Sequence, residues 1–258
     1  MTYSTIFRLD GRVALIPGGS GGIGSALAAG LADFGADVVI VGRSLERAEA
    51  VAQSVRERGR RALALPADVT RPEEVDRMVD QTMAAFGQID ILINCVGTNI
   101  EAPAEEYRLE DWDYVFAMNL RSTFKICQAV ARASMIPRRR GKIINISSVR
   151  GQLAIRRGYA AYTASKAGVN LLTKQLATEW AKYNINVNCI APTFIRTPLV
   201  APMLSDPQFY QALVNRIPLG RVGEPDDLVG AAVFLAAPAS DFITGHILLV
   251  DGGVTATQ

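Results

Sequence analysis

Residues 12–32 read RVALIPGGSGGIGSALAAGLA: an apolar run from Val13 to Ile16, five glycines between Gly18 and Gly24, then an alanine- and leucine-rich helical pattern. A strand feeding a helix through such a loop leaves bare backbone N–H groups at the helix start. Glycines there let the chain turn tightly and approach a pyrophosphate, whose charge those N–H groups meet. A glycine cluster alone is a weak signal; its place between the first strand and the first helix raises the cradle above a merely flexible loop. The same stretch also tests a membrane span, because Val13–Ala32 is twenty residues without a charge. Pro17 and six glycines within it argue against a spanning helix.

Outward from this unit the alternation repeats. Strands are expected at Arg12–Ile16, Asp37–Val41, Arg61–Leu65, Ile89–Asn94, Lys142–Ile146, Asn186–Ile190 and His246–Val250. Most are nearly continuous apolar runs such as VVIV and ILIN, as strands covered on both faces require. Helical patterns lie between them at Gly22–Phe34, Leu45–Arg58, Pro72–Phe86 and Asp111–Met135, with Thr70 read as a cap ahead of the first-turn Pro72. Repeated strand–helix–strand units imply right-handed crossovers and a parallel sheet. Seven strands fall one short of an eight-fold barrel. The glycines after the first strand favour an open sheet, so the expected fold is α/β: one Rossmann-type, doubly wound domain over residues 1–258. The cofactor half is placed roughly at 10–150 and the catalytic and substrate half roughly at 140–258. The stretch Pro192–Pro218, with four prolines after Pro192, reads as irregular, and its 193–218 part as a lid.

Composition narrows the function. Of 258 residues, 49% are hydrophobic and 20% charged, which supports a large core and excludes disorder. A net charge of +2 offers no basic stripe for a phosphate backbone, so nucleic acid is not an expected partner. Three cysteines (Cys95, Cys127, Cys189) without paired spacing fit reduced thiols. A single histidine, His246, and no C-x-x-C exclude an expected zinc site, so no metal is assigned. Met1–Arg12 carries no basic run followed by an apolar core, so the expected setting is cytoplasmic, with no membrane partner.

Tyr162 and Lys166 stand four apart in the helical pattern YTASKAGVNLLTKQLA, so phenol and ammonium share one face. A free tyrosine with a pKa of ~10 exchanges protons poorly at neutral pH, and a nearby cation is expected to bring it down. Upstream, IINISSVRG ends the fifth strand with Ser147-Ser148, and Ser148 precedes Tyr162 by fourteen residues. Together with the G-x-x-x-G-x-G spacing, these residues resemble the short-chain dehydrogenase/reductase family, across essentially the whole chain.

That resemblance implies a nicotinamide-dependent oxidoreductase acting on a secondary alcohol or ketone, with Asn119, Ser148, Tyr162 and Lys166 catalytic. It implies that Gly18, Ser20, Gly22, Ile23 and Gly24 hold the pyrophosphate, and that Asp68 and Val69 flank the adenine. Asn94 and Gly97, in Asn94-Cys95-Val96-Gly97, support the sheet and the ribose side. Tyr162 and Lys166 also reach the nicotinamide ribose, while Pro192, Ile195 and Thr197 fix the carboxamide. Pro17 replaces the family's usual threonine before the first glycine, and Thr193 replaces a glycine after the sixth strand.

Cofactor choice is read in Gly42-Arg43-Ser44 at the end of the second strand. No acid is present there to hold a ribose 2′-OH, and Arg43 with Ser44 suits a 2′-phosphate; NADP is favoured, with NAD the alternative. For substrate, EWAKYNINVNCIAP and SDFITGHILLVDGG resemble the sugar-acid and polyol branch of the family, such as gluconate 5-dehydrogenases. Arg150, Arg156 and Arg157, between Ser148 and Tyr162, either meet an oxyanion of the small-molecule substrate or are solvated loop charges. Arg150 and Arg157 are the tentative substrate contacts. The alternatives are a 3-oxoacyl carrier-protein reductase, for which Arg138-Arg139-Arg140 would supply a basic docking patch, and a non-catalytic dinucleotide sensor. By resemblance, Val250-Asp251-Gly252-Gly253 and an apolar helix at Leu228–Ala237 imply a homotetramer.

Overall fold

The strands β1 (Val13–Pro17), β2 (Asp37–Gly42), β3 (Ala62–Pro66), β4 (Ile91–Asn94), β5 (Gly141–Ile146), β6 (Ile185–Pro192) and β7 (Ile247–Val250) form one sheet. Their order is β3-β2-β1-β4-β5-β6-β7, and every pairing is parallel. The chain reverses its winding between β1 and β4, so loops at the carboxyl ends of these neighbours part into a crevice. This computed structural model describes residues 3–198 and 200–257. Met1, Thr2, Gln258 and, within the expected lid, Leu199 lie outside the described residues.

Helices α1 (Gly22–Asp33), α2 (Leu45–Glu57), α3 (Pro72–Phe86), α4 (Leu109–Phe116), α5 (Ser122–Val130), α6 (Ile136–Arg138) and α7 (Ala160–Trp180) follow in chain order. After them come α8 (Ala201–Leu204), α9 (Pro207–Val214) and α10 (Val229–Ala236). Alternate strand residues sort the core into two layers. Ala14, Ile16, Val38, Ile40, Ile91 and Ile93 face α1, α2 and α10. Val13, Leu15, Val39, Val41 and Leu92 face α3, α5 and α7. Both faces are dry, which is why the strands read as unbroken apolar runs. Among the described residues no helix is long and apolar enough to cross a membrane.

The seven expected strands all form, with ends shifted by one or two residues. Three expectations need correction. Thr70 does not cap α3: the N-cap is Arg71, with Pro72 at the first helical position, and the Thr70 hydroxyl instead donates to Asp68 at 2.7 Å. The stretch 192–218 is not irregular throughout. Pro192 closes β6, and α8 and α9 follow; Asp206 caps α9 by accepting from the Gln208 N–H at 2.9 Å. Finally, Arg138-Arg139-Arg140 immediately precede β5, at the amino ends of the parallel strands and so away from the crevice. Arg138 pairs with buried Asp90 at 2.9 Å and Arg139 donates to the Lys182 carbonyl at 2.7 Å.

Candidate active site

The glycine loop leaves β1 on a left-handed residue. Gly18 has φ +83°, and a Cβ there would stand 2.5 Å from the Cys95 carbonyl oxygen beyond β4. Any other residue would be both strained and crowded. Gly21, the N-cap of α1, provides no side-chain cap, so the first N–H groups of this helix point outward uncapped. A Cβ on Gly22 would meet the Thr197 methyl at 2.8 Å. Thr197, which follows β6, therefore lies directly over the cradle, and Ile23 and Gly24 open α1 beside it. Ser20 packs against Gly42 at the end of β2. This is a backbone cradle at a helix start, at the carboxyl edge of the sheet, and its residues fit a dinucleotide pyrophosphate.

Around the rest of the crevice, Arg43 is exposed and close enough to Asp68 for its charge to act there. Ser44 caps α2, its hydroxyl accepting from the Arg47 N–H at 3.3 Å. Asp68 accepts from both the N–H and the hydroxyl of Thr70, and that hydroxyl above all holds its carboxyl below the usual range. Val69 is buried in the core. Asn94 turns inward, donating to Asn145 at 2.8 Å and to the Cys127 sulfur at 3.2 Å. Its side chain ties β4 to β5 and α5 and leaves only its backbone toward the crevice. Pro192 is buried at the end of β6, and Ile195 bridges to Gly223.

Asn119 sits in a π-helical turn, Ala117–Arg121, between α4 and α5. Such bulges interrupt the backbone ladder and often mark functional positions. Its side chain is fully buried, accepting from the Thr98 N–H at 2.8 Å and donating to the Thr98 carbonyl and to Ser165. A Cβ on Gly97 would lie 3.3 Å from the Lys166 ammonium and 3.5 Å from Asn119 Oδ1. The Asn94–Gly97 segment, the π turn and α7 thus converge.

Ser147 and Ser148 follow β5 and separate cleanly. The Ser147 hydroxyl is spent inside, donating to the Lys166 carbonyl at 3.1 Å. Ser148 accepts from the Arg150 N–H at 3.1 Å, and its side chain hydrogen-bonds the Tyr162 phenol. Tyr162 opens α7 and its ring meets that of Tyr159 edge-on at 5.8 Å. Lys166, one turn on, donates to the Ile146 carbonyl at 2.9 Å, with its ammonium 5.8 Å from the Tyr162 ring centre.

The expected electrostatics need revising. Burial pushes the Tyr162 phenol above its ordinary pKa, against the opposing pull of the Ser148 hydrogen bond and, among cations, of Arg150. Within the protein alone Lys166 does not supply that pull. It is itself pushed down to about 8 by burial, partly offset by the Cys189 and Cys95 thiols. The phenol is therefore protonated at neutral pH and poised to donate.

Of the tentative substrate arginines, Arg157 is occupied. It forks onto Glu101 with two bonds of 2.9 Å and lies over the rings of Tyr159 and Phe209. Arg156 is exposed. Arg150 is 6% exposed and donates to the Ala154 carbonyl. Sequence reasoning missed Tyr159, though its spacing of three from Tyr162 puts it on the same helical face, and it missed Ser165 behind Asn119. Nothing in the local pattern announced the Glu101–Arg157 pair.

A glycine cradle at the switch point of a parallel sheet, facing a tyrosine, lysine, serine and asparagine, defines a dinucleotide-dependent oxidoreductase class. The chain belongs to the short-chain dehydrogenase/reductase family: a family model described as enoyl-(acyl carrier protein) reductase matches residues 18–255. It is 43% identical to gluconate 5-dehydrogenase of Gluconobacter oxydans (strain 621H) over 257 residues, covering 100% of both chains. It is 40% identical to 5-keto-D-gluconate 5-reductase of Escherichia coli (strain K12), covering 96% of this chain and 97% of that one. A crystal structure of a gluconate 5-dehydrogenase from Burkholderia cenocepacia J2315 in complex with NADP and tartrate superposes with a TM-score of 0.94. It is 44% identical, covering 98% of this chain and 99% of that one.

Proposed function

We propose that this protein is an NADP-dependent oxidoreductase that interconverts a secondary hydroxyl and a ketone on a gluconate-like sugar acid. The observation that carries the reading is the convergence of Ser148, Tyr162, Lys166 and Asn119 beside the glycine cradle, in a chain similar over its full length to enzymes named for gluconate and 5-keto-D-gluconate. A similar structure holds NADP, and Arg43 with Ser44 suits its 2′-phosphate in this chain.

The cradle of Gly18, Ser20, Gly22, Ile23 and Gly24 holds the pyrophosphate, and Asp68 and Val69 flank the adenine. Backbone at Asn94 and Gly97 borders the ribose, while Pro192, Ile195 and Thr197 position the carboxamide. A nicotinamide bound there supplies hydride exchange. Tyr162 gives its phenolic proton to the carbonyl oxygen during reduction and, as phenolate, takes the hydroxyl proton during oxidation. Ser148 donates to the same oxygen and stabilises charge developing on it. Lys166 holds the ribose, and Asn119 braces the strand–helix junction that positions Lys166. The 193–218 segment acts as a lid. Its Phe194, Phe209, Tyr210, Leu213 and Ile217 cluster with Val222 apart from both main cores, while Ile195 anchors the start of the segment in the first core, so the part beyond it can move without opening that core.

A homotetramer working in the cytoplasm completes the reading. It is supported by apolar side chains exposed on neighbouring helices, Leu109 on α4, Phe124 on α5 and Leu171 on α7, and by three free cysteines. The carrier-protein alternative loses its docking patch, because Arg138–Arg140 lie at the opposite end of the strands from the crevice. The test is turnover of a panel of sugar acids, polyols and 3-oxoacyl thioesters with each cofactor. Gluconate-type acids with NADP are expected to lead; a higher kcat/KM for the thioesters would overturn the proposal.

A further inference from the structure

Two loops border the tyrosine side of the crevice, and they are laced to each other. The loop after β4 carries Glu101, and the loop after β5 carries Arg157. The Ala102 N–H donates to the Gly158 carbonyl at 3.2 Å. A Cβ on Gly158 would collide with the Ala102 backbone, so the glycine permits this approach. Tyr107 braces the first loop by donating its hydroxyl to the Ile100 carbonyl at 2.8 Å. On this support Glu101 accepts from Arg157 Nε and Nη2, at 2.9 Å each. Such a fork fixes the plane of the guanidinium as well as its place.

The lid side is built differently. Helix α9 carries Phe209, Tyr210 and Leu213 of the small cluster that packs apart from both main cores. The lid is fastened at its two ends through backbone: the Gly223 N–H donates to the Phe194 carbonyl and the Leu219 N–H to the Gly252 carbonyl, each at 3.1 Å. A segment held in this way opens locally at low free energy. Phe209 is where α9 reaches the rigid loops. Its ring meets that of Phe194 edge-on at 5.8 Å, and the Arg157 guanidinium carbon lies over it, 5.1 Å from its centre. The same carbon is 5.7 Å from the centre of the Tyr159 ring, which in turn meets Tyr162 edge-on. Both distances are within cation–π reach. With its edge on Glu101, Arg157 keeps its flat face for the rings, a combination that lysine does not offer.

We propose that Arg157 is a positioning residue that latches the lid: Glu101 fixes its guanidinium, and the guanidinium holds Phe209 of α9 closed against the tyrosine side of the crevice. The latch rests on the reading of residues 193–218 as a lid over bound NADP and deepens it. Arg157 and Phe209 are not among the residues assigned to the cofactor, so the latch acts on entry and release alike and leaves the equilibrium between them nearly unchanged.

The test reads lid opening without reference to the substrate. Wild type, Arg157→Met, Phe209→Leu and the double variant are compared by amide hydrogen exchange along α9, and by stopped-flow fluorescence of NADPH entry and release. Exchange of α9 should rise by about 3- to 30-fold in each single variant, the range of a cation–π contact, with α7 unchanged. NADPH association and dissociation rates should rise by the same factor while Kd stays within about twofold. The double variant should be no faster than the faster single one, because both remove one shared contact. Phe209→Tyr keeps the ring and should restore wild-type exchange to within about twofold. Unchanged α9 exchange in Arg157→Met, effects that multiply in the double variant, or a Kd for NADPH that weakens in step with its release would each overturn the latch. Wild type that binds no NADPH would instead overturn the cofactor reading, with α9 exchange still deciding the latch. Failure to turn over any sugar acid would overturn the substrate reading alone.

Discussion

Replacing Lys166 with methionine should make the protein more stable while destroying its activity. The ammonium is 4% exposed and burial lowers its pKa from 10.5 to about 8. A shift of that size corresponds to roughly 3 kcal/mol of native-state cost for carrying the charge. Methionine has nearly the same reach and no charge, but forfeits the bond to the Ile146 carbonyl, worth about 1 kcal/mol. The net gain is about 2 kcal/mol at pH 7, or a rise in Tm of about 5 °C for a domain of this size.

The pH dependence follows from the direction of the shift. Below about 8 both folded and unfolded chains bind the proton, and wild type carries the full cost. Between about 8 and 10.5 only the unfolded chain binds it, so wild-type stability climbs with pH relative to the variant. Above 10.5 the charge cost has gone and only the forfeited bond to the Ile146 carbonyl separates the two proteins. Thermal unfolding of both proteins at pH 7 and pH 9.5, without cofactor, measures this. A variant less stable than wild type at pH 7, or a difference that does not shrink with pH, would refute the assignment of Lys166 as a buried, uncompensated cation. A site kept at such a cost is the stability–activity trade-off expected of catalytic groups.

The adjacent serines should part company. Ser147→Ala, which removes a buried bond to the Lys166 carbonyl, should cost about 1 kcal/mol of stability with kcat within about threefold. Ser148→Ala should leave stability nearly intact while kcat falls by about 100-fold or more, as for loss of one oxyanion donor; chemical denaturation and initial rates distinguish them. Arg43→Glu should weaken NADP by about 10- to 100-fold and leave NAD within a few-fold, read by fluorescence titration. Equal losses for both cofactors would remove Arg43 from the 2′-phosphate.

The architecture was legible because its signals are local. Strands dry on both faces must be apolar throughout, so VVIV and ILIN are readable without the fold. The glycine loop is legible for a similar reason, since Gly18 has a conformation and a neighbour that exclude a side chain. The helices after β6 are hidden in the sequence because prolines there read as breakers. Asp206-Pro207 is equally an N-cap followed by a first-position proline, and α9 starts there. At α3 the cap fell on Arg71, because Thr70 is held by Asp68.

The charge pattern of the site could not be read in advance. Glu101 and Arg157 are 56 positions apart, and nothing in either neighbourhood says that one will cancel the other. The same holds for Tyr162 and Lys166. Their shared helical face is evident from spacing, but burial, which raises one pKa and lowers the other, depends on elements packed around them.

The central assignment is the phenol of Tyr162 as the group that exchanges the substrate proton. Tyr162→Phe, assayed with NADP and the best sugar acid from the panel, tests it most directly. Cofactor affinity should remain within about twofold while kcat falls by about 1,000-fold, within the range for removing a general acid–base group. Retention of more than about a tenth of wild-type turnover would contradict the assignment, because proton exchange on that scale would have to pass through another residue.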